Sequence, residues 1–235
     1  MIGFIQQMIN GLSIGSVYAL MAVGYSLVYS IMNFSNFAHG GVIMIGSYIG
    51  FFCISLLNFS FPVAFITAAL GSGILAIIVE RVAYNPLRKR NAPFLYFIIS
   101  AMGASIFLEN IVVATIGPTF RTYPPVFSAT PIQIGALTIG RLDVLMFVIS
   151  AISLSILVYI IEKAKIGLAI RATSYSSKGS TLMGVNVDKV IFTIFLLGGM
   201  LAHYLGYLQP LMFQMVKSTE LTFLINFLCG LNRLL

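Results

Sequence analysis

Long apolar runs constrain this chain most, because stretches of about 18 or more residues with almost no charge recur along its length. Backbone amides in hydrocarbon must be hydrogen-bonded within their own segment, so runs without barrel-like alternation are predicted to be helices. Only 8% of the 235 residues are charged and the mean hydropathy is +1.02, whereas a soluble domain carries about a quarter. The sequence therefore excludes a water-soluble enzyme and predicts an all-α fold, a polytopic transmembrane helical bundle.

Seven membrane segments are predicted from the hydropathy pattern. They cover about 4–30, 36–58, 62–79, 93–117, 142–161, 189–215 and a poor, incomplete one from about 220 to the end. The N-terminal stretch MIGFIQQMINGL has no basic region and no clear cleavage site, so it is expected to be a retained membrane segment. Residues 1–235 are expected to form a single integral-membrane domain.

Two basic clusters predict the orientation of the bundle. ERVAYNPLRKRN covers 80–91, and the second cluster covers 162–189. The positive-inside rule places both in the cytoplasm, which puts 118–141 and the N-terminus outside. The net charge of +7 is explained by these short clusters between apolar runs. They are typical of topology determinants beside membrane lipid, and no nucleic-acid partner is expected.

Small residues recur at four-residue spacing in three of the predicted segments. This spacing favours close helix packing in lipid, and ordinary bundle packing is preferred over a specific dimer motif. The three sets are Gly11, Gly15 and Ala19; Gly46 and Gly50; and Gly198, Ala202 and Gly206.

The sequence offers little catalytic chemistry. There is no phosphate-binding GxxxxGK[ST] loop and no HExxH zinc motif, so we expect no ATP site in this chain, no metal and no cofactor. Glu109 lies in an apolar run, where a carboxyl group is by default a functional hypothesis, although a packing residue near the interface is favoured. His203 is expected to be a satisfied interior polar group.

The segment NFSNFAHG, residues 33–40, is a polar island between two apolar runs. Its polar side chains would cost several kcal/mol if left unsatisfied at depth, so they must reach water, protein or a polar pathway. The segment is either a short loop or a break that lines a pathway, with Gly40 and Gly41 supplying flexibility. The residues alone leave both open, with Asn36, His39 and Gly40 as pathway candidates together with Glu109.

Three segments in order carry a family resemblance over nearly the whole chain. They are NFAHG (36–40), ERVAYNPLRKR with Arg81 and Pro86, and the stretch from Arg171 and Ala172 through LMGVNVD (182–188). With them, the chain strongly resembles the permease subunits of bacterial branched-chain amino acid ABC importers. The resemblance implies location in the inner membrane, with NFAHG shaping the pathway.

The resemblance also implies partners. A permease of this kind pairs with a second permease, two cytoplasmic ATP-binding subunits and a periplasmic substrate-binding protein, and ATP chemistry belongs to those partners. Residues 162–189 then form the cytoplasmic loop that the ATPases push. The candidates for that contact are Arg171, Ala172, Met183, Gly184, Asn186 and Asp188.

The chain departs from the family pattern in several places. Gly41 stands where family members usually carry an acidic residue, Tyr175 and Ser176 where an Asp is usual, and Glu109 where Gln is frequent. The family continues beyond the sixth segment through further spans, whereas this sequence stops, so we expect a truncated copy. The alternatives are a permease for urea or short amides, a non-transporting membrane scaffold, and a membrane enzyme using His39 or Glu109.

Overall fold

The computed structural model describes residues 2–117, 132–134 and 137–212. The apolar helices are α1 (Ile2–Met32), α2 (His39–Ser55), α3 (Phe61–Val79), α5 (Phe94–Ile116), α6 (Arg141–Lys163) and α9 (Val187–Met212). A π-helical turn (Glu80–Tyr84) and α4 (Asn85–Lys89) continue α3, and α7 (Lys165–Tyr175) and α8 (Ser177–Leu182) connect α6 to α9. Two short strands, β1 (Ile132–Ile134) and β2 (Leu137–Ile139), precede α6.

The helical bundle predicted from hydropathy is confirmed. Within the described ranges, five helices are long and apolar enough to cross a membrane, and α2 is a shorter apolar helix of 17 residues. These six match six of the seven predicted segments, and the seventh, from about 220, lies outside the described residues. In the predicted outer loop, β1 and β2 pair antiparallel with Ile132 opposite Ile139.

Helix α9 occupies the middle of the bundle, packed against α1, α2 and α3. More than half of its apolar window is buried (56%), against 22% for α5 and for α6. Close approach to α3 depends on Gly199, since a Cβ there would lie 2.8 Å from the Ser72 carbonyl oxygen. Of the predicted small residues of α9, Gly198 lies where a Cβ would be 3.0 Å from the Gly24 carbonyl oxygen, and Ala202 is buried, so close packing is confirmed for these two.

The small-residue prediction is wrong for α1. In the part of the chain that the structure describes, no atom lies within 4 Å of a Cβ built on Gly11 or Gly15, and Ala19 is exposed. Their face of α1 points away from the described bundle. The packed glycine of this helix is Gly24, nine residues after Gly15, which meets Gly198 of α9. Four-residue spacing identifies a face that is able to pack closely, but does not identify which face has a neighbour.

The first basic cluster is not a simple connection between spans, because the helix runs on to Lys89. Pro86 has no N–H and cannot make the hydrogen bond of a regular helix. The turn before it widens, and the Asn85 N–H bonds the Glu80 carbonyl oxygen in the π pattern. Ser100 of α5 donates a 2.8 Å hydrogen bond to the Ala83 carbonyl oxygen. Residues 80–89 are thereby held against the bundle.

Candidate functional site

The polar island forms the break between α1 and α2. Asn33 adopts a left-handed backbone conformation (φ 55°) that ends α1, and α2 begins at His39. Gly40 and Gly41, expected to supply flexibility, instead lie inside α2, where Gly41 allows Leu108 of α5 to approach. The break turns inward, since Phe34 and Asn36 are both buried. The segment is therefore a loop whose side chains enter the bundle.

Tyr84 fastens this break to the π-helical turn. Its hydroxyl donates a 2.6 Å hydrogen bond to Asn36 Oδ1, and both residues are buried. Its ring packs edge-on against Phe34 at 5.1 Å between centroids and, at a tilt of 45°, against Phe195 of α9 at 5.7 Å. A buried amide oxygen is thus satisfied inside an aromatic cluster. The contacts close this end of the bundle between α1, α3 and α9.

His39 lies beside a small internal cavity. The cavity has a volume of about 10 Å³ and is lined by Asn36 and His39 with Val28, Val42, Ala76, Val79, Phe195 and Gly199. That volume is close to the minimum that holds one water molecule. His39 is buried, its Nε2 has no hydrogen-bond partner among residues 2–117, 132–134 and 137–212, and its ring meets Tyr25 edge-on. Of the four predicted pathway residues, Asn36 and His39 share this cavity.

Glu109 is placed elsewhere. It is half-buried on α5, accepts a 3.2 Å hydrogen bond from Ser105 one turn earlier, and does not line the cavity. A shared catalytic site of His39 and Glu109 therefore has no support from the described residues. His203 is a buried interior residue as predicted: its Nδ1 contacts the Met200 carbonyl oxygen, and its ring packs on Phe65.

Arg88 joins the two basic clusters through an ion-pair network. Its Nη1 donates to Glu80 Oε1 at 3.1 Å, and its Nη2 donates to Asp188 Oδ1 at 2.6 Å. The Glu80 side chain is only 3% exposed, whereas that of Asp188 is 70% exposed. Both clusters therefore lie at the same end of the bundle, as the topology prediction requires. The α1–α2 break is at this end too, because Tyr84 reaches it.

The coupling candidates fall into two groups. Arg171 and Asn186 are used in local structure: Arg171 Nη1 donates to the Ile161 carbonyl oxygen at the end of α6, and Asn186 Oδ1 accepts from the Lys189 N–H at 3.0 Å. Asn186 thus caps α9. Gly184, with φ +83°, ends α8, and the Val185 N–H bonds the Ser180 carbonyl oxygen, as in a Schellman motif.

The three remaining coupling candidates are exposed. Ala172 is exposed on α7, and Asp188 is exposed at the start of α9. Met183 is 85% exposed and its neighbour Leu182 is 88% exposed at the tip of α8. These two large apolar side chains lie at the charged end of the bundle, outside the apolar spans. We name Leu182 and Met183 the α8 tip.

The sequence analysis missed Tyr84 and Arg88 as site residues. Tyr84 was part of a family motif and Arg88 part of a basic cluster, but neither had a role beyond that. One signal was available, since Pro86 after a long apolar run predicts a disturbed turn, and disturbed turns accompany functional sites. The partners Asn36 and Asp188 are too distant in sequence for spacing to reveal them. In the described part of the chain, no three His, Cys, Asp or Glu residues are grouped as metal ligands.

Comparison with known proteins agrees with this geometry. The family described as branched-chain amino acid transport system / permease component matches residues 7–229. The chain belongs to this permease family. It is 34% identical to the high-affinity branched-chain amino acid transport system permease protein BraD of Pseudomonas aeruginosa, over 97% of this chain and 76% of that protein. No solved structure matches it.

Two further relatives of this permease carry related names. The permease protein LivH of the high-affinity branched-chain system of Salmonella typhimurium is 37% identical over 87% of this chain and 70% of its own length. A probable LivH of Methanocaldococcus jannaschii is 27% identical over 87% of this chain and 65% of its own length. Family membership and the apolar helices make the chain a multi-pass protein of the cytoplasmic membrane.

Proposed function

We propose that this chain is the membrane-spanning subunit of an ABC importer for branched-chain amino acids. In the proposed assembly it pairs with a second permease, two cytoplasmic ATP-binding subunits and a periplasmic substrate-binding protein. The observation that carries the proposal is the family match over residues 7–229. The relatives' names supply the substrate class. ATP hydrolysis belongs to the partners, and this chain has no catalytic role.

The structure supports a specific place for ATPase contact. The α8 tip is apolar and exposed, and α8 is fixed at both ends: Ser176 Oγ accepts from the Gly179 N–H at 3.1 Å, and Gly184 closes the other end. A short helix held rigidly at its ends is suited to fit a partner groove with its apolar residues. The proposed coupling surface is the α8 tip together with Ala172 of α7, whereas the Asp188 carboxylate is bonded to Arg88 within this chain.

The proposed pathway lies next to the cavity of Asn36 and His39. Asn36 and His39 are each only 5% exposed, and their apolar neighbours come from α1, α3 and α9. Polar groups at such a position mark pathways in transport bundles by default. The aromatic cluster of Phe34, Tyr84 and Phe195 closes the cytoplasmic end of this route in the described conformation.

The testing experiment is co-purification followed by reconstitution. The chain is expressed with its genomic neighbours, and the captured complex is placed in vesicles with a binding protein loaded with leucine. We expect ATP hydrolysis to be stimulated by the loaded binding protein and leucine to enter the vesicles. Met183→Ser is expected to reduce ATPase capture. Ser174→Ala is the control, because Ser174 is exposed on α7 and its hydroxyl donates to the Arg171 carbonyl oxygen of the same helix. Failure of the wild-type chain to capture an ATPase would overturn the proposal.

A further inference from the structure

We infer that Arg88 is a positioning residue that links the position of the α8–α9 connection to the packing of the α1–α2 break. The inference rests on the proposed function and adds a route for coupling within this chain. The Arg88 guanidinium group binds two carboxylates from separate elements, those of Glu80 and Asp188. Glu80 lies on the π-helical turn, and Asp188 lies in the first turn of α9, 100 residues after Arg88.

The two halves of this network differ in environment, which gives them different roles. Glu80 is buried, so its pairing with Arg88 is not readily given up, because an uncompensated charge in the interior is strongly unfavourable. Asp188 is largely exposed, and an exposed ion pair forms and breaks with little change in free energy. Arg88 therefore stays with Glu80, while Asp188 is the exchangeable partner. A movement of α8 alters the Asp188 contact first.

The π-helical turn connects Arg88 to the cavity. Glu80 and Tyr84 are the first and last residues of the same π-helical turn. Tyr84 in turn holds Asn36 by the 2.6 Å hydrogen bond, and Asn36 lines the cavity with His39. The Arg88–Glu80 and Tyr84–Asn36 links are direct contacts, and the backbone of the turn joins Glu80 to Tyr84, so a shift of the turn also moves the Asn36 contact. The route runs from Asp188 through Arg88 and Tyr84 to Asn36.

Arginine suits this position better than lysine. Its planar group presents donors in a fixed fork, which here reach Glu80 and Asp188 at the same time. A lysine ammonium at residue 88 retains the buried pair but does not hold two carboxylates in this geometry. Arg88→Lys is therefore the informative variant, because it keeps Glu80 paired and weakens the link to α9. Asp188→Asn removes the same link from the other side.

The experiment measures leucine transported per ATP hydrolysed in vesicles that hold the complete importer. For Arg88→Lys and Asp188→Asn we expect this ratio to fall about five-fold or more, in the range of ordinary coupling between sites. Asp188→Glu keeps the carboxylate and is expected to restore most of the ratio. Lys89→Gln removes one positive charge at the next residue, which has no ion pair among the described residues, and is the matched control.

A double-variant comparison tests the route itself. If Arg88 acts through Tyr84, then Tyr84→Phe and Arg88→Lys together lower the ratio by less than the product of their separate effects. The pair Tyr84→Phe and Lys89→Gln should show only the effect of Tyr84→Phe. The inference would be overturned if Arg88→Lys and Asp188→Asn transported as much leucine per ATP as the wild type. It would also be overturned if the double variant lowered this ratio by the full product of the two separate effects. Absence of transport by the wild-type importer would instead overturn the proposed function.

Loss of ATPase capture in Asp188→Asn would also count against the inference, since Asp188 would then act at the partner contact. Capture is therefore measured for every variant before transport. Arg88→Lys is expected to capture the ATPase as the wild type does, because its side chain is mostly covered by this chain's own residues.

Discussion

Tyr84 and Asn36 are joined by a 2.6 Å hydrogen bond between buried side chains that lie 48 residues apart in the sequence. The bond ties the π-helical turn after α3 to the break between α1 and α2. It also explains why a polar amide is accommodated among aromatic rings. Three helices meet at this point, so the contact defines the closed end of the bundle.

Tyr84→Phe removes the hydroxyl and leaves Asn36 Oδ1 buried without its partner. We expect the free energy of unfolding to fall by about 1–3 kcal/mol, the cost of an unsatisfied buried acceptor. The measurement is the thermal unfolding midpoint of the purified chain in detergent. Tyr96→Phe is the control, because Tyr96 is 55% exposed on α5. Equal midpoints for the two variants would mean that the Tyr84 bond adds no stability.

Gly199→Ala tests the close packing of α3 and α9. The added methyl would lie 2.6 Å from Ala76 Cβ and 2.8 Å from the Ser72 carbonyl oxygen, and neither group can rotate away. Overpacking of this kind costs about 1–3 kcal/mol, and the unfolding midpoint should fall accordingly. The methyl added by Gly15→Ala would have no described atom within 4 Å. Because alanine favours the helix over glycine, the free energy of unfolding should stay the same or rise by about 0.5–1 kcal/mol. A midpoint for Gly199→Ala as high as that of Gly15→Ala would contradict the packing account.

Asn186→Ala tests whether this residue has a structural role in the coupling loop. Loss of an N-terminal cap costs about 1 kcal/mol, and the first amide affected is that of Lys189. We expect faster hydrogen exchange in the peptide that covers residues 184–192, without a large change elsewhere. Asn186→Asp retains the accepting oxygen and should restore protection. Unchanged exchange in Asn186→Ala would show that the cap contributes nothing to the start of α9.

His39→Leu separates stability from transport. His39 Nε2 is buried and no group of the described residues bonds it, which is unfavourable by about 1–3 kcal/mol. Replacement by leucine removes that penalty, so the unfolding midpoint should stay the same or rise even though the ring contact with Tyr25 is lost. Leucine transport should nevertheless fall, because the polar lining of the cavity is reduced to Asn36. Full transport activity in His39→Leu would remove His39 from the proposed pathway.

The sequence identifies several residues of the site, but it does not show which of them lie together. The segment NFSNFAHG was recognised as polar and exceptional, but its two possible structures could not be distinguished, because hydropathy does not report which way a side chain points. Glu109 was a pathway candidate although a packing role was favoured, and the fold places it away from the cavity, bonded to Ser105. Gly11 and Gly15 match the packing pattern of Gly198, but no atom of the described residues lies within 4 Å of a Cβ built on either.

The amino-acid sequence was sufficient to predict apolar helices, the positions of most of them, and a shared end for the two basic clusters. Those properties follow from local composition, because the hydrocarbon core requires every backbone group to be satisfied within its own helix. The tertiary structure alone decided that Tyr84 meets Asn36, that Arg88 holds both Glu80 and Asp188, and that Gly199 meets α3. These contacts join residues far apart in sequence, and they depend on how helices rotate and pack, which composition along a single segment does not specify.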